Sequence, residues 1–180
     1  MMKIVITELM SVTLAVAPDT IPATGGNITI QPINHATLEL TYGGKVIDID
    51  PVAQANFEGL AAPDIILVTD IHQDHLDPST VAKRKKDTTK IVAPPAAASK
   101  LENAIAIKNG ETKDVDGIGI EAVPMNLPYT MPPSEAAECV KAFKQKIVYP
   151  YHYRGQNLDE FANALKGSGV DVRIRDWYSK

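Results

Sequence analysis

Thr69-Asp70-Ile71-His72-Gln73-Asp74-His75-Leu76-Asp77 follows without a break on the apolar run Ile65-Ile66-Leu67-Val68. That run is short and apolar and ends in polar residues, which predicts a strand buried on both faces. The polar stretch then lies at the strand's C-terminal end, where a rigid element aims the loop and the loop supplies the chemistry. Two of the four histidines in the chain fall here, His72 and His75, with Asp70 and Asp74 between and beside them. Imidazole and carboxylate are the donors that suit zinc and similar divalent ions. Successive side chains of an extended strand leave opposite faces, so His72, Asp74 and His75 can converge only in a tight loop. The competing reading is a polar loop with incidental histidines. The strand before it and the carboxylates Asp64, Asp70, Asp74 and Asp77 weigh against that reading.

Working outward, the N-terminal side reads as strands. Asn27 to Ile33 is one. Ala36 to Tyr42 alternates, with Leu38, Leu40 and Tyr42 on one face and Thr37, Glu39 and Thr41 on the other. Gly43-Gly44 predicts a two-residue hairpin turn, because glycine supplies the positive φ. Lys45 to Asp50 is the return strand, stopped by Pro51. On the C-terminal side, Pro78-Ser79 opens a helix, Lys90 to Ala93 is a buried strand and Pro95 to Glu102 a second helix. Asn109-Gly110 is a turn, and Gly117 to Val123 a strand. Pro133 to Phe143 is helical, with Cys139 in its apolar pattern beside Ala136, Val140 and Phe143. Lys146 to Tyr149 is a strand, Asn157 caps a further helix ended by Gly167 and Gly169, and Val170 to Ile174 closes the chain. The expected fold class is α/β.

The 180 residues suffice for one domain with a real core, and 44% hydrophobic with 22% charged residues is ordinary globular composition. A formal net charge of -4 gives no overall basic field, so no nucleic-acid partner is expected. The basic run Lys83-Arg84-Lys85-Lys86 is expected at a solvated helix end, where cations suit the helix dipole. A single cysteine excludes an internal disulfide framework. Residues 1–20 read as a signal peptide or an N-terminal extension. Lys3 precedes an apolar stretch from Ile4 to Val16, Glu8 interrupts it, and Ala15-Val16-Ala17 has the small residues of a cleavage site. Localisation stays open between cytoplasmic and exported. No run suits a membrane span, and residues 21–180 are expected to form the single domain.

With these residues in view, the stretch from Asp70 to His75 resembles the His-x-His-x-Asp-His signature of the metallo-β-lactamase superfamily, Asp70 standing in the first histidine place. Asn34-His35-Ala36-Thr37, Gly43-Gly44-Lys45 and Ile49-Asp50-Pro51 are similar to the opening strands of its lactonase- and phosphodiesterase-like branch. Pro150-Tyr151-His152-Tyr153 is similar to the segment bearing the last metal ligand. Asn126-Leu127-Pro128-Tyr129-Thr130-Met131 resembles one bacterial-type subgroup of that branch. The resemblance implies an αββα sandwich and two adjacent metal positions. One would use Asp70, His72 and a further histidine; the other would use Asp74, His75 and His152. A bridging aspartate would join them, and metal-bound hydroxide would attack an ester, lactone or phosphodiester. Asp74 would also orient the water, as the catalytic residue. Asp50 is similar to the carboxylate that orients a ligand histidine. His35 would lie near the site in a hydrogen-bonding or catalytic role. Tyr151, Tyr153 and Arg154 could contact the small-molecule substrate.

Part of that pattern is missing. No histidine lies between His75 and His152, and no Gly-Asp-Thr-like bridging aspartate is present. The simplest expectation is an internal deletion near Met125-Asn126, leaving an incomplete sandwich. Asp114 and Asp116, the nearest carboxylates, fit a turn better than a substitute ligand. One ion per chain is expected, zinc or else manganese or iron, held by Asp74, His75 and His152. A homo-oligomer could cover exposed sheet edges. The implied function is a metal-dependent hydrolase. Its alternative is a catalytically impaired or non-enzymatic remnant of the fold that binds at most one metal.

Overall fold

Alternating apolar residues make the first third of the chain a meander of strands. The computed structural model describes residues 16–123, 131–143, 146–153 and 155–177. The leader-like residues 1–15, the Met125-Asn126 junction and Arg154 lie outside them. Strand β1 (Asp19–Ile21) pairs antiparallel with β2 (Ile28–Asn34), which pairs with β3 (Thr37–Tyr42), which pairs with β4 (Lys45–Ile49). Gly43 and Gly44 turn the last hairpin with φ of 58° and 78°, setting Tyr42 opposite Lys45 and Leu40 opposite Ile47.

The sheet continues in parallel fashion through β5 (Ile65–Leu67), helix α1 (Pro78–Arg84), β6 (Lys90–Ala93), α2 (Pro95–Ala98) and β7 (Ile105–Ala106). Its spatial order is the chain order, β1 to β7. The two faces of the parallel part carry different layers. Ile66, Ile91 and Ala93 pack with Leu76, Val81 and Ala97 on the helix side. Ile47, Ile65 and Val92 pack with Ile107, Val115, Ile118 and Ile120 on the other. That second cover is a hairpin, β8 (Thr112–Val115) with β9 (Ile118–Glu121). A third cluster, Ala137, Phe161 and Leu165, joins α3 (Pro133–Phe143), β10 (Ile147–Val148), α4 (Leu158–Ala164) and β11 (Asp171–Val172). Strands β10 and β11 pair parallel with each other, apart from the main sheet. The architecture is the expected α/β class. It matches an αββα sandwich with limited helical content among the described residues.

Four local readings change. The stretch before Gly117 holds a strand, β8, whose charged Lys113 and Asp114 hid it. Asp116 and Gly117, at φ 53° and 83°, form the hairpin turn, and Gly117 N donates to Asp114 Oδ1 at 3.1 Å. Helix α2 stops at Ala98, well short of Glu102. Phe143 is exposed and Cys139 only half-buried, with Ala137 taking the buried position of α3. The basic run does sit at the end of α1, with Lys83 and Lys86 exposed, but Arg84 turns inward. Arg84 donates to Asp48 Oδ2 (2.8 Å) and to Ala61 O (2.6 Å), lies 3.6 Å from Glu39 and stacks over Phe57. Lys86 reaches Asp64 at 2.7 Å, and Lys85 reaches Glu102. Asp64 and Asp77 are therefore structural. Asp77 caps α1 by accepting from Ser79 N and Thr80 Oγ1.

Candidate metal centre

Four connections bring the candidate residues together at one end of the sheet. The β2–β3 turn presents His35, and the end of β4 presents Asp50. The loop after β5 presents Thr69 to His75, and the segment after β10 presents His152. The loop after β5 closes tightly, since His75 N and Leu76 N both donate to His72 O at 2.9 Å, and buried Leu76 anchors it in the helix-side core. His35, Asp50 and His152 all have positive φ, at 53°, 47° and 57°. Non-glycine residues rarely hold that conformation, and where they do the surrounding structure over-determines it, often at functional sites.

Asp74 is the centre of the arrangement. Its Oδ2 lies 3.5 Å from His35 Nε2, 3.5 Å from His152 Nε2 and 3.9 Å from His75 Nε2. One donor atom each of His35, Asp74 and His152 lies within 4.8 Å of the others. The rings of His35 and His152 meet edge to face at 4.0 Å between centroids, and His75 and His152 stand at 4.9 Å. Tetrahedral zinc with bonds of about 2.0–2.1 Å sets neighbouring donors about 3.3 Å apart. Two imidazoles and a carboxylate at these separations fit a divalent ion with small adjustments.

Behind this triad, Asp50 is fully buried and holds His75. Asp50 Oδ2 accepts from His75 Nδ1 at 2.7 Å and from Thr69 Oγ1 at 2.6 Å, while Oδ1 accepts from Thr69 N at 2.7 Å. With Nδ1–H committed to the carboxylate, His75 turns Nε2 toward Asp74, the tautomer a ligand histidine needs. Burial works to lower the pKa of His75, but the Asp50 hydrogen bond and the charges of Asp50, Asp74 and Asp70 outweigh it and hold it above the ordinary value. Burial dominates at Asp50, whose carboxyl is pushed up despite its bonds to His75 and Thr69.

Asp70 and His72 form their own pair at 2.7 Å, with His72 more than half exposed. Burial opposes the charge of Asp70, yet hydrogen bonds from His72 and Ile71 N hold its pKa below the usual carboxylate value. His35, expected beside the site, instead supplies a donor atom to the triad. Tyr151 and Tyr153 line a cavity of about 350 Å³ that opens beside Thr69, His75 and His152 and is walled by Val148 and Phe161. A second cavity of about 410 Å³ lies on the other side of Asp74 and His35, lined by Asn34, Gln54 and Gln73. Sequence reading missed Thr69, although its place directly after the buried strand marks it as the first residue able to reach Asp50. It also missed Tyr149, whose hydroxyl donates to Asp19 Oδ2 (3.0 Å) and accepts from Arg173 (2.8 Å) just before the His152 segment.

Residues 29–127 match the family described as the beta-lactamase superfamily domain. No curated protein matches the chain significantly. Among solved structures, the chain is similar to a protein of Parabacteroides distasonis ATCC 8503 provisionally described as a metal-dependent hydrolase. The identity is 31% over 89% of this chain and 98% of that one, with a TM-score of 0.77. It shares its fold with Igni18, a metallo hydrolase of the archaeon Ignicoccus hospitalis, at 14% identity over 84% and 96% of the two chains and a TM-score of 0.64. An isothiocyanate hydrolase from Delia radicum gut bacteria has the same fold at 14% identity, 81% and 83% coverage and a TM-score of 0.54.

Proposed function

The chain belongs to the β-lactamase superfamily, and on that premise we propose that it is a reduced member holding a single divalent ion, with weak hydrolytic activity at most. The observation that carries this reading is the one triad His35, Asp74 and His152 among the described residues. Among the described residues no second group of three donors stands beside it, and Asp70 and His72 pair with each other at 2.7 Å. An internal deletion near Met125-Asn126 would account for the ligands that the sequence lacks. When bound, a zinc, manganese or iron ion would supply Lewis acidity and lower the pKa of bound water toward neutrality.

The chain's own residues have separable roles. His35, His152 and, somewhat farther off, His75 would bind through Nε2, and Asp74 would bind and accept a hydrogen bond from the attacking water. Asp50 orients His75, and Thr69 orients Asp50. The flanking cavities bear on what could be taken in. The described lining beside His152 is largely apolar, and that beside Asp74 and His35 carries carboxamides, which suits an ester or lactone. An apolar acyl group fits the wall of Val148 and Phe161, and a neutral polar portion fits the carboxamides of Asn34, Gln54 and Gln73.

The deciding experiment is the metal content of the purified full chain after zinc loading, compared with Asp74→Asn, followed by a screen of nitrophenyl esters, lactones and a phosphodiester. One ion per chain, lost in the variant, with slow or no turnover, is expected. A folded chain that takes up no ion sinks the metal reading. Fast metal-dependent turnover, or two ions per chain, would restore a full hydrolase.

A further inference from the structure

We propose that the metal ion also works as an interlock between two separately packed parts of the chain, a role that rests on the single-ion reading above. The first part is the seven-stranded sheet with α1, α2 and the β8–β9 hairpin. The second comprises α3, β10, α4 and β11. Each has its own buried cluster, and the clusters share no residue. Among the described residues, strands β10 and β11 pair with each other and with no strand of the main sheet. Among the described residues the second part is small, with three buried residues, Ala137, Phe161 and Leu165, at its centre. A core of that size cannot offset the chain entropy of ordering the helices around it, so it needs support from outside.

Two places supply a junction. One is a polar clasp. Asp19 of β1 accepts from Tyr149 at 3.0 Å and from Arg175 at 2.6 Å, and Trp177 stacks on Tyr149 at 5.3 Å. The other is the metal centre, where His35 and Asp74 belong to the sheet part and His152 to the second part. The cavity beside His152 lies along the same junction, between Thr69 and His75 of the first part and Val148 and Phe161 of the second. In the metal-free chain His35 Nε2 and His152 Nε2, one from each part, both stand 3.5 Å from Asp74 Oδ2, and their rings meet edge to face across the junction. A divalent ion would join the two parts by a bond to His152 from the second part and bonds to His35 and Asp74 from the sheet part. Binding free energy at a site assembled only in the docked state is also docking free energy.

Hydrogen exchange of the full chain, with and without zinc, tests this. The free zinc concentration is set at a hundred times the Kd that titration gives. Amides of α3 and α4 should slow about a hundredfold, while those of β2, β3 and β4 change less than about twofold. His35→Ala should abolish the effect in α3 and α4 although His35 lies in the other part. Asp74→Asn, which keeps shape and volume, should do the same if the alanine variant fails to fold. Zinc bound at one ion per chain with α3 and α4 unchanged would overturn the interlock and leave the metal reading intact. Equal slowing of β2, β3 and β4 would overturn it too, because the two parts would then open as one. Absence of zinc binding would sink both.

Discussion

Asp48 and Asp50 stand two residues apart at the end of one strand, and both are fully buried. They meet different cations. Asp48 takes Arg84, a guanidinium that stays charged at any pH the protein meets. Around it lie Glu39, whose Oε2 is buried without a hydrogen-bond partner, and the ring of Phe57. Burial, then the neighbouring charge of Asp48, pushes the Glu39 carboxyl up, and burial pushes Asp48 up against the pull of Arg84. Asp50 instead takes His75, which can hold or give up its proton and leaves a second nitrogen facing Asp74. The same residue type on the same strand thus becomes a fixed strut in one place and part of a working site in the other. The partner's chemistry decides which.

The largest test of that contrast is Arg84→Met. It strands two buried carboxylates and should cost about 3–5 kcal/mol, read by chemical denaturation. A loss below about 1 kcal/mol would mean that Asp48 and Glu39 do not depend on the cation. Asp50→Asn should weaken zinc binding by about 10- to 100-fold in isothermal titration while the chain stays folded. An unchanged affinity would make Asp50 a strut like Asp48. Asp77→Ala removes the cap of α1 and should cost about 1 kcal/mol without altering zinc affinity, which separates Asp77 from Asp74 three residues earlier. The smallest effect is on pH. The His75 pKa is raised in the folded state, so its contribution to metal-free stability is complete below the unfolded value of about 6.5 and is lost as pH rises through the folded value. Zinc competes with that proton, so zinc affinity should rise over the same range. Melting curves with and without zinc would show the two trends opposed, and parallel trends would remove His75 from the site.

Much of this was legible in the chain because the signals were local. Ile65-Ile66-Leu67-Val68, Gly43-Gly44 and the Pro133 to Phe143 spacing each fix an element from neighbouring residues alone. The density of His72, Asp74 and His75 marked the site for the same reason. What was not legible depends on distant partners. Arg84 reads as one of four exposed cations until β3 and β4 bring Glu39 and Asp48 beneath it. His35 reads as a neighbour of the site until the backbone at the β2–β3 turn aims it at Asp74. Strand β8 carries two adjacent charges, Lys113 and Asp114, and becomes a strand only because Val115 has the sheet face to pack on.

The left-handed backbone at His35, Asp50 and His152 has an evolutionary consequence. Besides glycine, that conformation admits chiefly asparagine, aspartate and histidine. Those are also residues that bind or orient metal ions. The three turns therefore filter mutation toward a donor alphabet. A single substitution among these types exchanges nitrogen for oxygen at the site and leaves the loop in place. Drift from one preferred metal to another can then proceed through folded intermediates, with the backbone acting as the ratchet.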